Sequence, residues 1–147
     1  MGLTDWLRDG WLVEHQPSAQ EIAELLGIAD RDLADCQAIG LSPDWQLNIA
    51  HNAALQAATA ALAASGYRAA RDAHHYRVIQ SLTYTIGAKR DLIAQLDRFR
   101  KKRNISDYER AGAISIQEAK EMVAVAKKLR AEVEQWLRAN HPKLMPD

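Results

Sequence analysis

Between residues 98 and 103 the chain carries five bases in six positions: Arg98, Arg100, Lys101, Lys102 and Arg103, interrupted only by Phe99. A helix C-terminus accommodates cations because its last carbonyls carry partial negative charge, a gain of roughly 0.3–1 kcal/mol each. That accounts for one or two bases. Like charges at successive positions repel, and phosphate binding gives such density a purpose. Spacing separates Arg103 from its neighbours. Leu92, Leu96, Phe99 and Arg103 follow at offsets of four, three and four, so they share one helical face and Arg103 leaves the end of an apolar stripe. A guanidinium held at a core edge suits phosphate recognition through its planar fork. The competing use is a local ion pair with Asp107, four residues on.

Proton carriers for neutral pH are scarce: His74 and His75 open the third helix and His51 lies on the second, and spacing alone does not bring any of them to Arg103. Adjacent histidines such as His74 and His75 rarely ligate one ion together, Cys36 stands alone, and there is no His-Glu-x-x-His pattern, so no metal site and no other cofactor is expected. Gly-rich phosphate loops and Gly-x-Ser-x-Gly elbows are absent as well. A further polar feature is the line Asn48, Asn52, Gln56 and Thr59, with His51 beside it. Either this line faces water or it forms a polar groove or dimer seam; uncharged amides are less usual than Lys or Glu on a plain solvated face.

These residues need a scaffold, and its class follows from composition. The chain has 147 residues, 48% of them hydrophobic, with only 7 Gly and 4 Pro, which predicts one all-α domain of a size that folds without disulfide or metal. The single cysteine points to a reducing, cytoplasmic setting. No apolar run approaches the ~18 residues of a membrane span. The 19 bases balance 19 acids, but unevenly: residues 1–50 hold nine acids and two bases, the remainder ten acids and 17 bases. Halves of opposite sign either neutralise each other within the fold or leave one basic face.

Local signals predict five helices in an up-and-down bundle. Ser18 and Glu21 have capping-box spacing, followed by Ile22, Leu26, Ala29 and Leu33, with Gly40 as a stop. Ser42-Pro43 opens a long Ala-rich helix ending before Gly66. A third helix carries Tyr76, Ile79, Leu82 and Ile86 up to Gly87, a fourth starts near Lys89, and Ser115 with Glu118 caps a fifth that Asn140-His141-Pro142 closes. Residues 1–17 are an N-terminal extension, either a short helix laid over the bundle or a partner-binding arm; residues 18–147 are the single helical domain.

Arg103-Asn104-Ile105-Ser106-Asp107-Tyr108-Glu109, ending the fourth helix, resembles the HEPN (higher eukaryotes and prokaryotes nucleotide-binding) superfamily. Upstream, Ala61-Leu62-Ala63-Ala64, Gly66-Tyr67-Arg68 and His74-His75-Tyr76 are similar to its small prokaryotic members, over roughly residues 18–138. Many such proteins are metal-independent ribonucleases of toxin–antitoxin and phage-defence systems, with an Arg, usually a polar residue after it, and a His separated from the Arg by four to six residues, two motifs meeting at a dimer cleft. The resemblance makes Arg103 the motif arginine and Asn104 the polar residue. Tyr108 stands where the histidine falls, and a phenol of pKa about 10 exchanges protons at pH 7 far less readily than an imidazole of about 6.5.

Three functions follow as expectations. The first is a homodimeric endoribonuclease in which Arg103 clamps the scissile phosphate, Asn104 and Asp107 orient groups around it, and Tyr108 or a nearby histidine handles protons. Arg98, Arg100, Lys101, Lys102, Asn52, His74 and His75 would border the RNA. The second is a non-cleaving HEPN protein that holds RNA or a nucleotide as partner to an antitoxin or a nucleotidyltransferase. The third is a helical interaction protein anchored to another chain by Trp6, Trp11 and Trp45.

Overall fold

The structure, a computed structural model, describes residues 2–106 and 114–146. The described residues are mostly helical: α1 (Leu3–Arg8), α2 (Ala19–Asp35), α3 (Pro43–Ala64), α4 (His74–Ser81), α5 (Arg90–Ser106) and α6 (Ile116–Asn140), closed by a 3-10 turn (Pro142–Leu144). Two three-residue strands, β1 (Leu12–Glu14) and β2 (Tyr67–Ala69), pair antiparallel with Leu12 opposite Ala69 and Val13 opposite Arg68. No described helix is long and apolar enough to cross a membrane.

The centre is α3. Its alanines at 50, 53, 54, 57, 58, 60, 61, 63 and 64 are buried on every side, and their small side chains let α2 and α6 pack close to its backbone. Larger side chains fill what remains, with Phe99, Ile22, Leu62, Leu96 and Leu129 all fully enclosed. Three caps set the helix starts. Ser42 accepts from the Trp45 amide with Pro43 in the first turn, and Ser115 and Glu118 form a complete box, each side chain bonding the other's backbone N–H. At Ser18 only half the expected box forms, because the Glu21 carboxylate instead accepts from His15 Nε2 at 2.8 Å.

Two departures from the five-helix expectation have local causes. The helix after Gly66 ends at Ser81 instead of running to Ile86. The buried Ser81 hydroxyl donates to the Val78 carbonyl at 2.7 Å, and the Leu82 amide bonds Ile79 one residue nearer, so the last turn tightens. Gly87, at φ 71°, then reverses the chain while the Ala88 amide closes back on Leu82.

The opening segment is the second departure. It contains both the short helix α1 and the strand β1. Trp6, only 5% exposed, packs edge-to-face on Trp11 and Tyr84, and Leu12 is enclosed. Trp6 therefore cannot anchor another chain; Trp45, 62% exposed, stays at the surface.

Candidate functional site

Helix α4 starts abruptly. Ala73 precedes it at φ 53° and ψ 37°, a left-handed conformation that costs a residue with a Cβ about 1–2 kcal/mol, and no side chain caps the helix. This turn sets His74 and His75 side by side, rings 5.7 Å apart and 62° inclined. Both are exposed at a cleft of about 400 Å³ that Ala73, Tyr76 and Arg100 also line. Arg100 comes from α5, its Nε donating to Asp97 at 2.7 Å and its guanidinium 5.6 Å from the Tyr76 ring. The other side of α4 is tied to the hairpin, where the Arg77 guanidinium lies 3.6 Å over the Trp11 ring.

Behind the cleft lies His51 of α3, 1% exposed. Its Nε2–H donates to the Leu96 carbonyl of α5 at 3.2 Å. A carbonyl can only accept, so the neutral ring carries its proton on Nε2 and leaves Nδ1 as a buried acceptor, which has no hydrogen-bond partner among the described residues. Burial lowers the His51 pKa to about 4; the Leu96 bond opposes this, while Arg103, His75 and Arg100 add to it. His75 is lowered too, first by burial and then by Arg103, His74 and Arg100. Arg103 thus acts on both imidazoles, and one corner of the bundle gathers two guanidiniums and three histidines, two of them held towards the neutral form.

The rest of the basic run is spent elsewhere. Arg98 pairs with Glu121 of α6 at 3.3 Å, Lys102 with Glu118 of α6, and Lys101 with Asp97 at 3.6 Å. Carboxylates on the same and the adjacent helix therefore account for most of the charge density that the sequence assigned to phosphate. Across the molecule Arg130 bridges Asp30 of α2 through both nitrogens at 2.8 and 3.0 Å, one direct link between the acidic and basic parts of the chain.

The polar line on α3 runs along α2, away from plain solvent. Asn52 donates to the buried Asp32 at 2.7 Å, Gln56 donates to Asn52, and the Thr59 hydroxyl donates to the Leu55 carbonyl of its own helix. Asn52 is thereby an interhelical strut, while Asn48 is buried near the start of the same helix. Asn104 lies in the last turn of α5; its side chain, with Asp107 and Tyr108, falls outside the described residues. Among the described residues no three His, Cys, Asp or Glu side chains gather as a metal-binding group.

The structure thus brings Arg100, His74 and His75 of the predicted set to one cleft with Arg103 acting on His75 nearby, and gives Arg98, Arg100, Lys101, Lys102 and Asn52 carboxylate partners. Sequence reasoning missed the part played by Tyr76, the strained Ala73 and the locked tautomer of His51. A histidine within an Ala-rich helix, next to Ala50 and two residues from Ala53, was the available signal for burial. Neither the family models nor the curated proteins compared with this chain give a match.

Proposed function

We propose that this chain is a HEPN-like protein that binds single-stranded RNA at the α4–α5 corner and cuts it without a metal ion, two copies contributing to one cleft. The observation that carries this reading is the cleft lined by His74, His75, Tyr76 and Arg100, where burial first and then Arg103, His74 and Arg100 lower the His75 pKa. Metal-free RNA cleavage asks three things of a site: a base for the 2′-hydroxyl, positive charge on the phosphorane, and an acid for the leaving oxygen. His75, held towards its neutral form, suits the first task. Arg100 and Arg103 suit the second, since guanidiniums match the geometry of phosphate oxygens.

In this scheme His75 takes the 2′-hydroxyl proton while O2′ bonds to phosphorus. The phosphorus–O5′ bond then breaks, and His74 delivers a proton to the departing 5′-oxygen. The products are a 2′,3′-cyclic phosphate and a 5′-hydroxyl. Tyr76 offers a ring on which a base can stack. The resemblance adds Asn104 and Asp107 as orienting groups beside Arg103, and Tyr108 as an alternative to the histidines in handling protons.

Incubation of the purified chain with labelled single-stranded RNA in EDTA tests the reading. Cleavage to cyclic phosphate ends is expected, with Arg103→Ala and His75→Ala each lowering the rate by about 10²–10⁴. No cleavage, with RNA retention indifferent to Arg100→Ala and Arg103→Ala, would overturn it. A second reading draws on the ion pairs of Arg98, Lys101 and Lys102, which leave fewer cations for a strained phosphate. On that reading the protein retains RNA or a nucleotide without cutting, as partner to an antitoxin or a nucleotidyltransferase, and salt-sensitive retention without cyclic ends is its signature.

A further inference from the structure

The hairpin beside α4 carries two arginines that the basic run of α5 overshadows in the sequence. Arg68 sits on β2 opposite Val13, and Arg71 follows in the turn towards Ala73. Both are exposed, and neither is bonded to a carboxylate among the described residues. They line a depression of about 480 Å³ together with Val13, Ala69, Ala70 and His74. His74 also lines the α4–α5 cleft, so the two spaces share a wall.

The lining has a definite chemical character. Val13, 38% exposed, pairs with Arg68 on the outward face of the hairpin and with Ala70 makes a small apolar floor, while Ala69 turns with Leu12 into the core; the guanidiniums stand at its rim. Two carboxylates belong to this part of the chain. Glu14 lines a separate depression with His15 and Tyr67, and Asp72 is exposed and lines neither cleft. An apolar hollow edged by planar cations that have no carboxylate partner among the described residues fits a nucleotide, whose base is apolar on its face and whose phosphate is anionic. An acidic peptide would engage the same cations but would leave the apolar floor unused.

We infer that this face of the β1–β2 hairpin is a second subsite for single-stranded RNA, taking the nucleotides that flank the one held at Arg100 and Arg103. The inference rests on the RNA-binding reading of the α4–α5 cleft and extends it from one phosphate to a track. His74 stands at the junction, between the flanking segment and the reacting one.

The test measures anisotropy of a labelled uridine trinucleotide and a labelled uridine dodecanucleotide on the full chain, from about 50 to 200 mM salt. The double variant Arg68→Ala/Arg71→Ala is expected to weaken the dodecanucleotide about tenfold and leave the trinucleotide unchanged. Its salt slope should fall by about 1.4, since each single-strand phosphate contact contributes about 0.7. Arg68→Lys/Arg71→Lys should keep most of that slope. Unchanged dodecanucleotide binding and slope in the alanine variant, with both lengths weakened by Arg100→Ala/Arg103→Ala, would overturn the track alone. If Arg100→Ala/Arg103→Ala spares both lengths, the reading of the cleft itself fails. Displacement of the dodecanucleotide by an oligoglutamate that binds equally well would assign the face to acidic protein and overturn the track as well.

Discussion

His51 offers the sharpest test of the architecture around the cleft. The unfolded chain binds a proton on this side chain at a pKa of about 6.5, and the folded chain only at about 4, because burial and then the nearby cations oppose the imidazolium. Above pH 6.5 both states are neutral and the residue contributes no pH dependence. As pH falls through this window the unfolded state gains a proton that the folded state refuses, so stability is lost on acidification and is fully restored above the upper value. At roughly 1.4 kcal/mol per tenfold change in proton affinity, the gap comes to about 3 kcal/mol. His51→Gln removes the titration and keeps an amide able to donate to the Leu96 carbonyl. Urea unfolding of both proteins at a series of pH values isolates the contribution, because the carboxylates titrate alike in each. The variant's stability relative to the parent should rise by about 3 kcal/mol between pH 7 and pH 4. Parallel profiles would refute the reasoning. So would an imidazole resonance of the native protein that titrates near its ordinary value.

Further outcomes concern the frame that holds the cleft. Ala73→Gly relieves the left-handed backbone and should stabilise the fold by about 1 kcal/mol, read as a rise of a few degrees in the melting midpoint; a fall would show that Ala73 is not strained. Arg130→Met removes the link from α6 to Asp30 and should cost about 1–2 kcal/mol in chemical unfolding, while Glu134, freed of the guanidinium that holds its pKa down, should titrate higher by NMR. Ser115→Ala should cost about 1 kcal/mol and fray the first turn of α6, seen as faster amide exchange at Glu118; an unaltered rate would deny the cap its role.

How much of this was legible in the sequence depended on the range of the interaction concerned. Ser42-Pro43 and Ser115 with Glu118 act within one turn, and they mark the starts of α3 and α6. The 92-96-99-103 spacing likewise put Arg103 on the edge of an apolar stripe, and Leu96 and Phe99 are buried. The β1–β2 pairing was illegible because each strand is three residues long, too short for an alternating pattern, and its partner lies beyond two helices. The same holds for the bases of α5, whose carboxylates Glu118 and Glu121 come from the neighbouring helix α6. The early end of α4 turned on one hydroxyl choosing a carbonyl, a competition that residue types alone do not settle. Glu21 likewise had two acceptor tasks open to it, and His15 won over the Ser18 backbone.

The antiparallel pairing of β1 with β2 also has a consequence for the order of assembly. During synthesis on the ribosome Leu12 is made early and Ala69 much later, so the first strand has to wait, unzipped, while α2 and α3 emerge and dock. Only when Tyr67, Arg68 and Ala69 clear the exit tunnel can β1 find its partner, and Trp6 is covered later still, once Tyr84 has followed. A nascent chain arrested before Tyr67 would therefore carry β1 with no partner strand for its backbone hydrogen bonds.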